Sequence, residues 1–159
     1  MGRSWVLPTI VAGVTALGVA MLGGTITDLG PWYQSLEKPE WTPPNVVFPI
    51  AWTAIFALAA VAAVATWRAA PTSRVADTVI GLFALHGFLN VLWSLIFFRM
   101  QRPDWAFAEL MLLWLSVAAL ILFCARYSRI AAIALVPYLA WVTIAGALNW
   151  SVVELNGPF

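Results

Sequence analysis

The chain has 159 residues and a formal net charge of +1, a length that suits one domain. Hydrophobic residues make up 63% of it and charged residues 9%, against about 25% charged in a soluble domain, so a water-coated globule is excluded and an integral membrane protein is implied. No basic run is present to neutralise phosphates, which excludes nucleic acid as a partner. The single Cys124 and single His86 exclude an intrachain disulfide and the usual zinc or iron ligand sets, so no metal and no required cofactor is expected.

Charge-free windows mark the spans in chain order. The first runs from Ser4 to Thr27, the second from Trp41 to Trp67 and the third from Thr78 to Phe98. The fourth, Trp105 to Ala125, is interrupted by Glu109, and the fifth runs from Ile130 to Val153. A helix crossing a bilayer core needs about 20 residues, and lipid leaves exposed backbone groups unsatisfied, so helices are the default. The expectation is an all-α, single-domain bundle of five transmembrane helices at about 4–27, 44–68, 77–99, 104–126 and 129–153, with a lid loop at about 28–43.

The first window follows Arg3 but is too long for a signal-peptide core and lacks an Ala-x-Ala site. It carries small residues at four-residue spacing, Ala12, Ala16, Ala20 and Gly24. Such a stripe allows close helix contact, either within one subunit or as the seam of a homodimer.

Between the first two windows lies PWYQSLEKPEWTPPNVVFPIAW, Pro31 to Trp52. It holds Trp32, Trp41, Trp52, five prolines and the only lysine, Lys38. Disordered segments are poor in aromatics and long loops in compact domains are uncommon unless functional, so this stretch reads as an ordered lid. Thr42 before Pro43 and Pro44 reads as an N-cap with proline in the first helical positions. That places the start of the second helix near Pro44, with Pro49 one turn later.

In the third span His86, Asn90, Trp93 and Phe97 share one helical face. The two polar members serve either as interhelical hydrogen-bonding groups or as part of a cavity wall. In the fifth, Pro137, Trp141, Ala145 and Asn149 form a matching stripe, either pocket wall or helix packing. Glu109 is either a proton or cation site or a side chain that reaches back to the interface. Trp5, Trp67, Trp105 and Trp150 fit interfacial belts. Trp52, Trp93 and Trp141 lie too far inside for that, and an aromatic cluster under a lid suits a flat, apolar, conjugated ligand. Lys38 is placed to meet an acidic edge of such a ligand. Basic residues divide five to three, with Arg3, Arg68, Arg74, Arg126 and Arg129 against Lys38, Arg99 and Arg102. The excess favours a cytoplasmic N-terminus and an outward lid.

Four stretches carry a resemblance. WYQSLEKPEWTPPNVVFPIAWT resembles the first loop and second-helix start of the tryptophan-rich sensory protein family, also called the TspO, translocator or peripheral benzodiazepine receptor family. LNVLWSLIFF, AELMLLWLSV and VPYLAWVTIAGALNW resemble its third-, fourth- and fifth-helix motifs in the same order. The resemblance implies a bacterial member, a multi-pass protein of the cell membrane and often a homodimer. It also implies binding of porphyrins such as protoporphyrin IX, or of benzodiazepine- or isoquinoline-type ligands, by a sensor, carrier or scavenger. Carried over by position, the pocket takes in Trp32, Trp41, Trp52, Phe56, Asn90, Trp93, Trp141, Ala145 and Leu148. With Lys38, Phe48, His86 and Phe97 these make the candidate ligand-binding set. An alternative is an enzyme that degrades porphyrin with light and oxygen, with Trp52 and Trp141 as the reacting pair. A further alternative is sterol or lipid transport, or a structural dimer. This chain departs from the family at Phe56, where tyrosine is frequent. The end of its fifth helix, NWSVVELNG, lacks the tyrosine and basic residue of the animal sterol pattern, and the loose match at Leu122, Tyr127 and Arg129 ends the wrong helix.

Overall fold

In a computed structural model, residues 4–159 are described. Arg3, counted in the charge bias above, lies outside them. The described residues are all helix and loop. Five long helices are each long and apolar enough to cross a membrane: α1 (Val6–Ile26), α3 (Val47–Ala69), α4 (Ser73–Ser94), α5 (Pro103–Ala125) and α6 (Arg129–Asn156). A sixth, short helix, α2 (Pro31–Ser35), lies within the lid. The protein is therefore a multi-pass membrane protein.

The ends differ from the expected ones for local reasons. α3 begins at Val47 and not near Pro44, because Thr42 does not cap it: its hydroxyl donates to the Pro39 carbonyl at 2.6 Å. Pro43 and Pro44 stay in the turn that the Val47 N–H closes onto the Pro44 carbonyl, and Pro49 falls in the first turn of α3, where a missing N–H costs nothing. α4 begins at Ser73, ahead of Asp77, because Thr72 accepts a capping bond from the Val75 N–H. Charge-free windows mark the lipid-buried part of a helix, not the polar turn that leads into it. α4 ends in a π-helical turn, Leu95–Arg99, and Gln101 takes a left-handed backbone conformation (φ 54°) in the short link to α5. Ser128 caps α6 by accepting from the Ala131 N–H at 3.2 Å.

α5 and α6 form the central antiparallel pair, α3 packs on α6 and α1, and α4 packs on α5 and α3. The core is drawn from Ile55, Ala59 and Ala62 of α3, Leu110 to Cys124 of α5, and Ala131 to Val142 of α6. Gly146 lets α5 and α6 approach: a Cβ there would lie 3.0 Å from Leu110 Cδ2. The large apolar side chains left outside, such as Leu7, Phe88, Leu122 and Ile133, are the lipid-facing surface.

α1 contributes no buried residue. Of its small-residue stripe, Ala12 lies in a cleft against Ala60 and Ala65 of α3, and Ala20 and Gly24 line the cavity described next. At the lid end α1 is tied by Arg99 Nη2, which donates to the Thr25 carbonyl at 2.8 Å.

Candidate functional site

Beneath the lid, the ends of α1, α3, α4 and α6 enclose a cavity of about 400 Å³. Each wall follows from helical spacing. Phe48, Trp52 and Phe56 are four apart on α3; Asn90, Trp93 and Phe97 share a face of α4; Trp141, Ala145 and Leu148 share a face of α6. α1 adds Ala20, Gly23 and Gly24, residues with almost no side chain, which leave the room the aromatics surround.

The rings support one another. Trp52 stacks on Phe56 with centroids 5.5 Å apart and meets Trp141 edge-on at 6.4 Å. Phe48 meets Trp141 at 5.8 Å, and Trp93 stacks on Phe97 at 5.1 Å. Trp93 Nε1 donates to Asn149 Oδ1 at 3.0 Å, and Asn149 Nδ2 donates to the Pro103 carbonyl at 2.8 Å. Asn149 thus fixes the Trp93 indole while joining α4, α5 and α6. Trp141 differs: its Nε1 is buried and has no partner. A buried donor left unpaired costs about 1–3 kcal/mol, and the indole lines the cavity through other atoms of its ring.

Of the thirteen residues proposed from sequence, ten line this cavity and Trp32, Trp41 and His86 do not. Trp32 packs edge-on against Phe97 at 5.9 Å, beside the small cluster of Leu36, Phe98, Ala106 and Val152, so it seats the lid. Trp41 is 51% exposed on the outer part of the lid. His86 lies one turn deeper than Asn90, where its Nδ1 meets the Tyr138 hydroxyl at 3.2 Å. Asn90 Nδ2 reaches the same hydroxyl at 3.4 Å. Of the two readings open for His86, interhelical bonding is the one adopted; Asn90 does both jobs. The sequence reading missed Tyr138. The available signal was a polar-tipped ring three residues before Trp141, in the middle of a span.

Lys38 lines the cavity but spends two N–H groups on the lid, donating to the carbonyls of Tyr33 at 2.6 Å and Leu36 at 3.0 Å. Its ammonium also sits 4.3 Å from the Tyr33 ring centre. Burial holds the Lys38 ammonium below the usual lysine range and pushes the Tyr33 phenol up. The lid is latched to α6 by a reciprocal pair: the Glu37 N–H donates to Asn156 Oδ1, and Asn156 Nδ2 donates to the Glu37 carbonyl, both at 2.8 Å. Glu109 does not reach the interface. It is 6% exposed, and neither carboxyl oxygen has a hydrogen-bond partner.

Comparison of the sequence with known proteins matches it to one family. The family model described as TspO/MBR matches residues 10–155. The chain is 39% identical over 133 residues to Protein CrtK of Rhodobacter capsulatus, covering 84% of this chain and 83% of the relative. It is 36% identical to Tryptophan-rich protein TspO of Chlorobaculum tepidum over 88% of this chain and 90% of that one. It is 32% identical to the Translocator protein of Ovis aries over 79% and 75%.

Proposed function

This chain belongs to the TspO/MBR family, and we propose that it binds a porphyrin of the protoporphyrin IX type, or a similar flat apolar molecule, in the cavity under the lid. The observation that carries this reading is the cavity itself. Its volume of about 400 Å³ falls in the range of small-molecule sites, roughly 300–1,000 Å³. Aromatic side chains line it, among them Trp52, Trp93 and Trp141. A conjugated ligand would stack among these rings. Lys38 lines the cavity, and its ammonium, with two N–H groups on lid carbonyls, keeps a charge that would attract an acidic substituent on the ligand. Relatives named as sensory and translocator proteins support sensing or carriage as the use of such binding. We place the protein in a bacterial cell membrane with its lid outward, following the basic-residue bias.

Titrating protoporphyrin IX into the full chain in detergent is expected to quench tryptophan fluorescence saturably. Trp52→Ala or Trp141→Ala should weaken the affinity about tenfold or more, the scale of a lost aromatic anchor. Quenching that never saturates would sink the reading.

A second reading, photo-oxidative porphyrin breakdown, is favoured by one feature: Trp52 and Trp141 touch edge-on within the wall. It predicts light- and oxygen-dependent loss of the porphyrin bands with a discrete product. Equal bleaching by the native chain and by Trp52→Phe or Trp141→Phe rules it out.

A further inference from the structure

Glu109 is a buried carboxyl that takes no part in the cavity wall. Glu109 lies six residues into α5, about 9 Å along the axis at 1.5 Å per residue. It is 6% exposed, and both its oxygens are sealed from solvent without a partner. The cations nearest this end are engaged elsewhere. Arg102 is forked onto Asp104 and lies over the Trp105 ring, Arg99 holds the end of α1, and Lys38 holds lid carbonyls. A carboxylate here would be desolvated and unpaired, which costs several kcal/mol. A bound proton removes that cost, and an ionisable residue inside a membrane bundle marks a functional site by default.

We propose that Glu109 is a proton-binding site inside the bundle, and that its proton is coupled through Tyr138 and Asn90 to occupancy of the ligand cavity. The reaction is the addition of one proton from water to a carboxylate oxygen, with nothing oxidised and no other bond made. The coupling half rests on the binding reading above; the proton half does not.

The groups around it give the route. α5 packs against α6 and α4. From α6, Tyr138 belongs to the same packed core as Leu110, the residue next to Glu109. From α4, His86 meets that hydroxyl at 3.2 Å and Asn90 at 3.4 Å. Ser94 is uncharged and bonds to the Asn90 carbonyl, and on α5 itself Asp104 is held by Arg102. The Tyr138 hydroxyl has a single hydrogen to place. A neutral Glu109 leaves it to His86 Nδ1. A charged Glu109 makes no bond to that hydroxyl, but its field in this apolar core would reorient the hydrogen and alter the hold on Asn90, a cavity residue, and on Trp52, whose ring meets Tyr138 edge-on at 6.2 Å.

Infrared spectroscopy of the full chain in lipid at neutral pH tests the site. A carboxylic-acid carbonyl band should appear, shift in D₂O, and vanish in Glu109→Gln. Asp28, Glu37, Glu40, Asp77 and Glu154 are exposed and Asp104 is paired with Arg102, and the loss in Glu109→Gln is what assigns the band. Titration with a neutral benzodiazepine across mildly acidic to alkaline pH tests the coupling. The native affinity should change about fivefold or more, the low end of typical coupling between sites. Glu109→Gln and Tyr138→Phe should both bind without that dependence, while Tyr138→Phe keeps the infrared band. No band in the native chain, or the same band in Glu109→Gln, overturns the proton site. A band with pH-independent native affinity overturns the coupling. Absence of saturable benzodiazepine binding at every pH overturns the coupling, while the protoporphyrin titration decides the binding reading and the infrared result decides the proton site.

Discussion

α1 and α6 are both long and apolar enough to span a bilayer, yet α1 buries none of its residues and α6 buries eight of its 28. Hydrophobicity does not separate them, because lipid is as apolar as leucine and gives helices no general reason to associate. The difference lies in the polar and small residues. α6 reaches α4 through Tyr138, α4 and α5 through Asn149, α5 through Thr143 and the lid through Asn156. α1 is tied near its end by Arg99 and otherwise offers small residues to the cavity. α6 is the strut of the bundle and α1 is the thin wall of its cavity.

The same substitution should therefore cost stability on one helix and almost none on the other. Gly146→Val pushes a side chain toward Leu110, 3.0 Å from where a Cβ would sit. Overpacking of this kind costs about 1–3 kcal/mol. Gly18→Val meets nothing within 4 Å and should stay within about 0.5 kcal/mol. Thermal unfolding in detergent, followed by tryptophan emission, reads both; equal shifts would mean that α1 and α6 are packed alike.

The contrast also shows what the sequence could reveal. Five spans were legible because a bilayer forbids charge over some twenty residues, and the composition obeys that rule. Helix ends were less legible: the start of α3 depended on whether the Thr42 hydroxyl turned forward to cap or back to Pro39. Cavity faces were legible where spacing sets them, as with Phe48, Trp52 and Phe56. Depth was not. His86 shares a stripe with Asn90, but Tyr138 covers it, and Trp41 shares a motif with Trp52 but lies ahead of the helix. Tyr138 itself bonds to partners 52 and 48 residues away, a relation that no local pattern contains. The snorkelling option for Glu109 failed for the same reason, since nothing local says which way a long side chain turns.

If α1 serves the cavity by its lack of side chains, filling it should harm binding and spare stability. Ala20→Phe places a ring where the wall is thinnest. Affinity for protoporphyrin should fall about tenfold, or 1.4 kcal/mol, with little change in the unfolding midpoint. A large loss of stability with unchanged affinity would reverse the roles assigned to α1 and α6.

The smallest effect expected is the one that separates the strut from the lid it carries. Asn156→Ala removes both bonds to the Glu37 backbone, and exposed bonds of this kind contribute about 0.5–1 kcal/mol each. The apolar seat of Trp32 and Leu36 against Phe97 and its neighbours remains, so the lid should stay docked but open more often. Association and dissociation rates in stopped-flow quenching should then both rise a few-fold, while the equilibrium affinity changes little, because lid opening serves entry and exit alike. Unchanged rates would mean that ligand passes elsewhere, and the thin wall beside Gly23 and Gly24 of α1 is then the route the structure offers.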